Sequence, residues 1–149
     1  MLPSDIIDPT GISLNNPATS KKRVLEEAAR LLARTDDAPE SEQIYERLME
    51  RERLGSTGLA NGVALPHARM PGVTAASGAF IRLTEPVDFD ALDDQPTDLI
   101  FGLLVPEQAT QEHLDLLAGL ARLFSDKQLC EQLRQTQDPD EALRLLGKS

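Results

Sequence analysis

Cysteine occurs once, as Cys130, so the chain has no internal disulfide to form. It also lacks any run of about 18 apolar residues and the apolar core of a secretion signal. These absences point to a cytoplasmic protein that is not inserted in a membrane. Positive charge is scarce: Lys and Arg number 15 against 25 Asp and Glu, a formal net charge of −10. A field of that sign disfavours nucleic acid and anionic lipid, which leaves proteins as the expected partners. Histidine occurs only twice, at His67 and His113. Two histidines and one cysteine cannot complete a structural zinc site without carboxylates, so no metal is expected. No internal repeat or low-complexity tract is visible, and 149 residues suffice for one domain, residues 1–149, with a real core and no staples.

What the sequence does contain is a run of helix and strand signals. Residues 1–19 read as a turn-rich arm, with Asp8-Pro9-Thr10-Gly11 and Asn15-Asn16-Pro17 around one or two brief strands. From the cap-type Ser20, Leu25, Ala28, Ala29 and Leu32 recur at helical spacing. A second helix follows Pro39, carries Ile44, Tyr45, Leu48 and Met49 as its stripe, and runs out near Gly55. Strands are predicted at 79–83, before Glu85-Pro86, and at 99–105, the latter apolar throughout as a central strand would be. The acidic segment 89–96 between them reads as a surface connection that borders a site. A third helix is expected over 110–124, with Leu114, Leu117, Ala118, Ala121 and Phe124 inward and His113 at its start. Ser125 to Gln128 fits a capping box before a helix with Leu129, Cys130 and Leu133 inside, which makes Cys130 a core residue. Pro139 opens a last helix with Ala142, Leu143 and Leu146 inward and Gly147 as its stop. Helices around several strands make an α/β fold.

The chemistry is concentrated between Arg51 and Arg69. Gly55, Gly58 and Gly62 allow positive φ and close approach of a phosphate or a partner's backbone. Val63-Ala64-Leu65 reads as a short strand that Pro66 stops just before His67. An imidazole at a strand end is held by the scaffold yet reachable from outside. With Arg51 and Arg69 flanking it, His67 sits where a phosphoryl dianion can be received and neutralised. Neutral imidazole is a competent phosphoryl acceptor near pH 7, once an acceptor on its other nitrogen fixes the tautomer. His113, near a helix N-terminus whose dipole disfavours imidazolium, can donate to a phosphate oxygen or to His67. Arg51 is equally explained as a cation welcome in the last turn of a helix. Ser56 and Thr57 are candidate hydroxyl or N–H donors to phosphate, or ordinary turn residues. Gly55-Ser-Thr-Gly58 is neither a Walker loop nor a nucleophile elbow.

Gly55-Ser-Thr-Gly58, Asn61-Gly62, Pro66-His67, Phe89-Asp-Ala91, Asp94-Gln-Pro96, Leu103-Leu-Val-Pro106 and His113-Leu114 together resemble the phosphotransferase-system IIA domains of the fructose/mannitol class. Within that class the nitrogen-regulatory branch is the nearest in pattern. The resemblance runs from about residue 5 to the C-terminus and departs at Ala60, where glycine is usual, and at Ala68-Arg69, where glycine-lysine is usual. It implies a mixed β-sheet flanked by α-helices, and a phosphoryl group that passes from phosphoenolpyruvate through an enzyme I and an HPr-like phosphocarrier to His67. Arg51 and His113 would line the phosphorylation site, and no cofactor is implied. A sugar-transporter IIA is often fused to its partners, so a free-standing chain favours the regulatory branch. There the phosphorylation state is the output, read by potassium-uptake or sensor-kinase proteins. The alternatives are the IIA component of a fructose/mannitol-type transporter and a binding module of the same fold that takes no phosphate.

Overall fold

The computed structural model describes residues 6–108 and 111–147. A mixed sheet of five strands lies between two helical layers. The strands are β1 (Ile12–Asn16), β2 (Val63–Ala64), β3 (His67–Met70), β4 (Ser77–Val87) and β5 (Thr97–Pro106). β1 runs parallel to β4, β4 antiparallel to β5, and β2 and β3 both parallel to β5. β5 is therefore central to the site side of the sheet. Its side chains are buried on both faces, which is why Leu99 to Val105 reads as one apolar run.

Alternation along β4 and β5 divides the core in two. One face presents Ala79, Ile81, Ile100 and Leu104 to α1 (Lys21–Leu32) and α2 (Ser41–Arg53), which answer with Leu25, Ala28, Leu32, Ile44 and Leu48. The other presents Phe80, Leu99, Phe101 and Leu103 to α3 (Gln111–Phe124), α4 (Lys127–Gln135) and α5 (Pro139–Gly147). Phe124 stacks on Phe80 at 6.3 Å between ring centroids and tilts against Phe101 at 6.1 Å. Cys130 is fully buried here, its thiol directed to the Phe124 carbonyl, and burial pushes its pKa up. Among the described residues no helix is long and apolar enough to cross a membrane.

Several sequence expectations shift. Residues 1–5 of the arm lie outside the described residues; the rest holds a single 3-10 turn, Pro9–Gly11, and β1. α2 begins at Ser41, with Glu40 as its cap, so Pro39 precedes the helix. β4 continues through Glu85-Pro86, because its register against β5 slips between Arg82 and Val87 and the bulge asks no ladder hydrogen bond of Pro86. The cap of α4 is Asp126, which accepts from the N–H groups of Gln128 and Leu129, while the Ser125 hydroxyl turns back to the Arg122 carbonyl. On α5 the buried set is Ala142, Leu145 and Leu146, with Leu143 at its edge.

The inward face of α3 changes most. Position 110 lies outside the described residues. Leu114 is 56% exposed and Ala118 is exposed, whereas Leu120 and Phe124 are buried. The first turn of the helix overhangs a cleft, and packing against the core begins with Leu116 and Leu117 and is complete at Leu120 and Phe124.

Arg82 is a buried cation inside an otherwise apolar stretch of β4. Its guanidinium donates to the Leu133 and Thr136 carbonyls and to the side chains of Asn15 and Gln137, tying the end of α4 to β1. Leaving those carbonyls without a donor costs about 1–3 kcal/mol each.

Candidate functional site

The interrupted edge of the sheet positions His67. β2 ends at Ala64 and β3 begins with His67, so the histidine opens a strand instead of following one. Pro66 has no N–H to give, yet its carbonyl still accepts from Leu103 N–H at 3.0 Å, and the chain stays extended across the break. His67 pairs in register with Leu103.

The loop before β2 is shaped by two glycines. Gly62 has φ +78 after Asn61 at φ +66, an Asn-Gly reversal that a side chain at 62 would strain. At Gly58 a Cβ would stand 2.9 Å from the Ala91 Cα, so the loop can touch segment 89–91 only with glycine there. That contact makes 89–96 a neighbour of the glycine loop: Ser56 Oγ donates to the Phe89 carbonyl at 2.6 Å, and Asn61 N–H to Asp93 at 3.3 Å.

The imidazole is half-buried, with Nδ1 2.8 Å from the Leu65 carbonyl. A carbonyl only accepts, so Nδ1 carries the hydrogen and Nε2 the lone pair. Burial holds the His67 pKa below the usual 6.5, and Arg51 and Arg69 push it the same way; the Leu65 carbonyl and Glu52 oppose them. The unfolded chain therefore binds a proton at His67 near 6.5 while the folded one does not. The sign follows: stability falls as pH drops from 6.5 through the folded value, and no more is lost below it. An NMR titration of the His67 ring should give a midpoint below 6.5, and Arg69→Ala should move it upward; a wild-type midpoint at or above 6.5 would contradict this electrostatic picture.

His67 opens onto a cleft of about 580 Å³. Arg51, Arg69 and His113 line it with His67, so four of the six residues singled out from sequence meet in one place. Arg51 sits in the last turn of α2 and donates to the Gly55 carbonyl at 2.9 Å. His113 is in the first turn of α3, half-buried. Ser56 and Thr57 are not in the lining. Their hydroxyls are committed elsewhere, Ser56 to the Phe89 carbonyl and Thr57 to Glu52 at 2.6 Å, so both serve the loop's own structure.

Sequence reasoning passed over the rest of the lining, including Arg47, Leu54 and Glu107, and it passed over Glu52. Glu52 is buried although Arg51 and Arg53 flank it. Its carboxylate accepts from Thr57 N–H at 2.9 Å and pairs with Lys21 Nζ at 2.9 Å. The signal was present: Ile44, Leu48 and Glu52 recur every four residues, which puts Glu52 on the buried face of α2. Among the described residues no group of three or more His, Cys, Asp or Glu is arranged to hold a metal ion.

Residues 5–149 match the family described as "Phosphoenolpyruvate-dependent sugar phosphotransferase system, EIIA 2", and the chain belongs to it. Membership makes it a IIA component with a role in phosphotransfer. The chain is similar to a nitrogen regulatory protein of Pseudomonas aeruginosa, at 47% identity over 129 residues, covering 87% of this chain and 84% of that protein. It is also similar to the crystal structure of nitrogen regulatory protein IIA-Ntr from Neisseria meningitidis, with a TM-score of 0.91 and 48% identity, covering 96% of this chain and 97% of that one. The IIA mannitol structure from Escherichia coli, at 24% identity with 94% and 98% covered and a TM-score of 0.78, shares the fold.

Proposed function

We propose that His67 accepts a phosphoryl group at Nε2 from a phosphorylated HPr-like carrier and that the protein regulates its partners by the state of that histidine. The observation that carries the reading is the 2.8 Å contact between Nδ1 and the Leu65 carbonyl, since it leaves Nε2 as the nucleophile. In the transfer the carrier's P–N bond breaks, its leaving nitrogen keeps the electron pair, and a new P–N bond forms at Nε2. The Nδ1 proton stays on the ring, which becomes cationic, held by Leu65. A protonated ring is a good leaving group, so the phosphoryl group can be passed on or returned. Arg51 and Arg69 offset the dianion, and His113 offers a further donor.

The depressed His67 pKa serves this chemistry by keeping the imidazole neutral at pH values where a free one would be largely protonated. Leu54, 85% exposed, and Leu114, 56% exposed, give the cleft an apolar rim on which a carrier can dock. Phosphorylation sets a dianionic group on a ring left cationic by its Nδ1 proton, a net change of about −1 at that rim. On a chain already at −10 the change acts on one docking surface, which is what a regulator needs. The similarity to nitrogen regulatory proteins supports a regulatory role over service to a sugar permease, and we take the targets to be of the potassium-uptake or sensor-kinase kind.

The test is NMR of the protein after incubation with phosphoenolpyruvate, enzyme I and an HPr-like carrier. Phosphorus coupled to Nε2 of His67 is expected; phosphorus on Nδ1, or on another residue, would overturn the assignment.

A further inference from the structure

A continuous chain of hydrogen bonds leads from the back of the glycine loop to the imidazole. Lys21 Nζ, 3.2 Å from Asp90 and 4.9 Å above the Phe89 ring, pairs with Glu52 at 2.9 Å. Both Glu52 oxygens accept from Thr57, one from its N–H at 2.9 Å and one from its hydroxyl at 2.6 Å. The Thr57 carbonyl then accepts from Leu65 N–H at 3.0 Å, and the Leu65 carbonyl meets His67 Nδ1 at 2.8 Å. A carboxylate is costly to bury unless its lone pairs are taken, and here three donors take them. The Thr57–Leu65 link joins the glycine loop to the β2–β3 break, at the residue whose carbonyl selects the His67 tautomer.

We propose that Glu52 is a positioning residue for His67: by fixing Thr57 it fixes the Leu65 carbonyl, and so holds the ring with Nδ1–H inward and Nε2 as the reacting atom. This rests on His67 being the phosphoacceptor, but the positioning itself is measurable without phosphate. Glu52 is hydrogen-bonded to Thr57, not to the ring; it acts through two residues, Thr57 and Leu65. Arg51, also on α2, instead lines the cleft, with Arg69 of β3, Arg47 and Glu50 of α2, Glu107 and His113. Anchoring the loop alone would affect stability and leave the tautomer as it is.

The test is long-range proton–nitrogen NMR of the full, unphosphorylated chain above pH 7, paired with single-turnover transfer from a phosphorylated HPr-like carrier. In wild type the Nδ1–H form should dominate. Glu52→Ala should shift the ring toward Nε2–H and slow transfer about tenfold to a hundredfold with little change in the carrier concentration needed. Glu52→Gln should restore both, because its amide can accept from Thr57 N–H and donate to the Thr57 hydroxyl. Should Glu52→Ala not fold, Thr57→Val decides: a partial shift in tautomer supports the proposal, and an unchanged ratio overturns it. A folded Glu52→Ala with wild-type tautomer and rate also overturns it. Failure of the wild type to take up phosphate would instead sink the functional reading, leaving the tautomer result to stand or fall alone.

Discussion

His67→Ala should take up no phosphoryl group from a phosphorylated HPr-like carrier, while its unfolding curve stays close to that of wild type. The loss is total because the lone pair at Nε2 is the only nucleophile the proposed transfer uses, and nothing nearby can replace it. His113 lines the same cleft, but it stands on α3, whereas the Leu65 carbonyl fixes the tautomer of His67. The fold should tolerate the change because the imidazole is only half-buried and opens onto the cleft, so little packing is lost with it. Transfer of acid-labile label, run beside urea unfolding, checks both halves. Full labelling of the alanine variant would remove His67 from the mechanism.

Arg51→Ala should slow transfer by about a hundredfold to a thousandfold, the usual loss when a fixed donor is removed from developing negative charge. Two of its duties disappear together. Its guanidinium is a cation lining the cleft beside His67, and it also braces the Gly55 carbonyl at 2.9 Å. Arg69 remains and keeps the loss from being complete. Arg51→Lys should recover only part of the rate, since an ammonium cannot brace the loop and meet the phosphoryl oxygens at once. Single-turnover rates separate these effects from carrier binding; a rate within a factor of about two of wild type would assign Arg51 to its helix terminus alone.

Much of this was readable in the chain. The helical spacing of Leu25, Ala28, Ala29 and Leu32 and the unbroken apolar run of β5 depend on burial of one face or of both, and burial leaves a periodic trace. The glycine loop and the proline beside His67 were equally plain, because positive φ and a missing N–H restrict which residues can stand there. The misreadings share a different cause. Leu114 looks buried by spacing, yet periodicity cannot say that the first turn of α3 overhangs a cleft. For Ser56 and Thr57 the sequence leaves phosphate donors and turn residues both open, and it does not show that the Phe89 carbonyl and Glu52, 33 and 5 residues away, take their hydroxyls. In each case the deciding partner is fixed by tertiary structure, which local pattern does not encode.

The most direct test of the central claim is the intact mass of the wild-type protein before and after incubation with phosphoenolpyruvate, enzyme I and an HPr-like carrier, followed by mild acid. Gain of one phosphoryl group that acid removes is the expected result. An unchanged mass, with the carrier itself shown to be phosphorylated, would contradict it and leave the chain a binding module of the same fold.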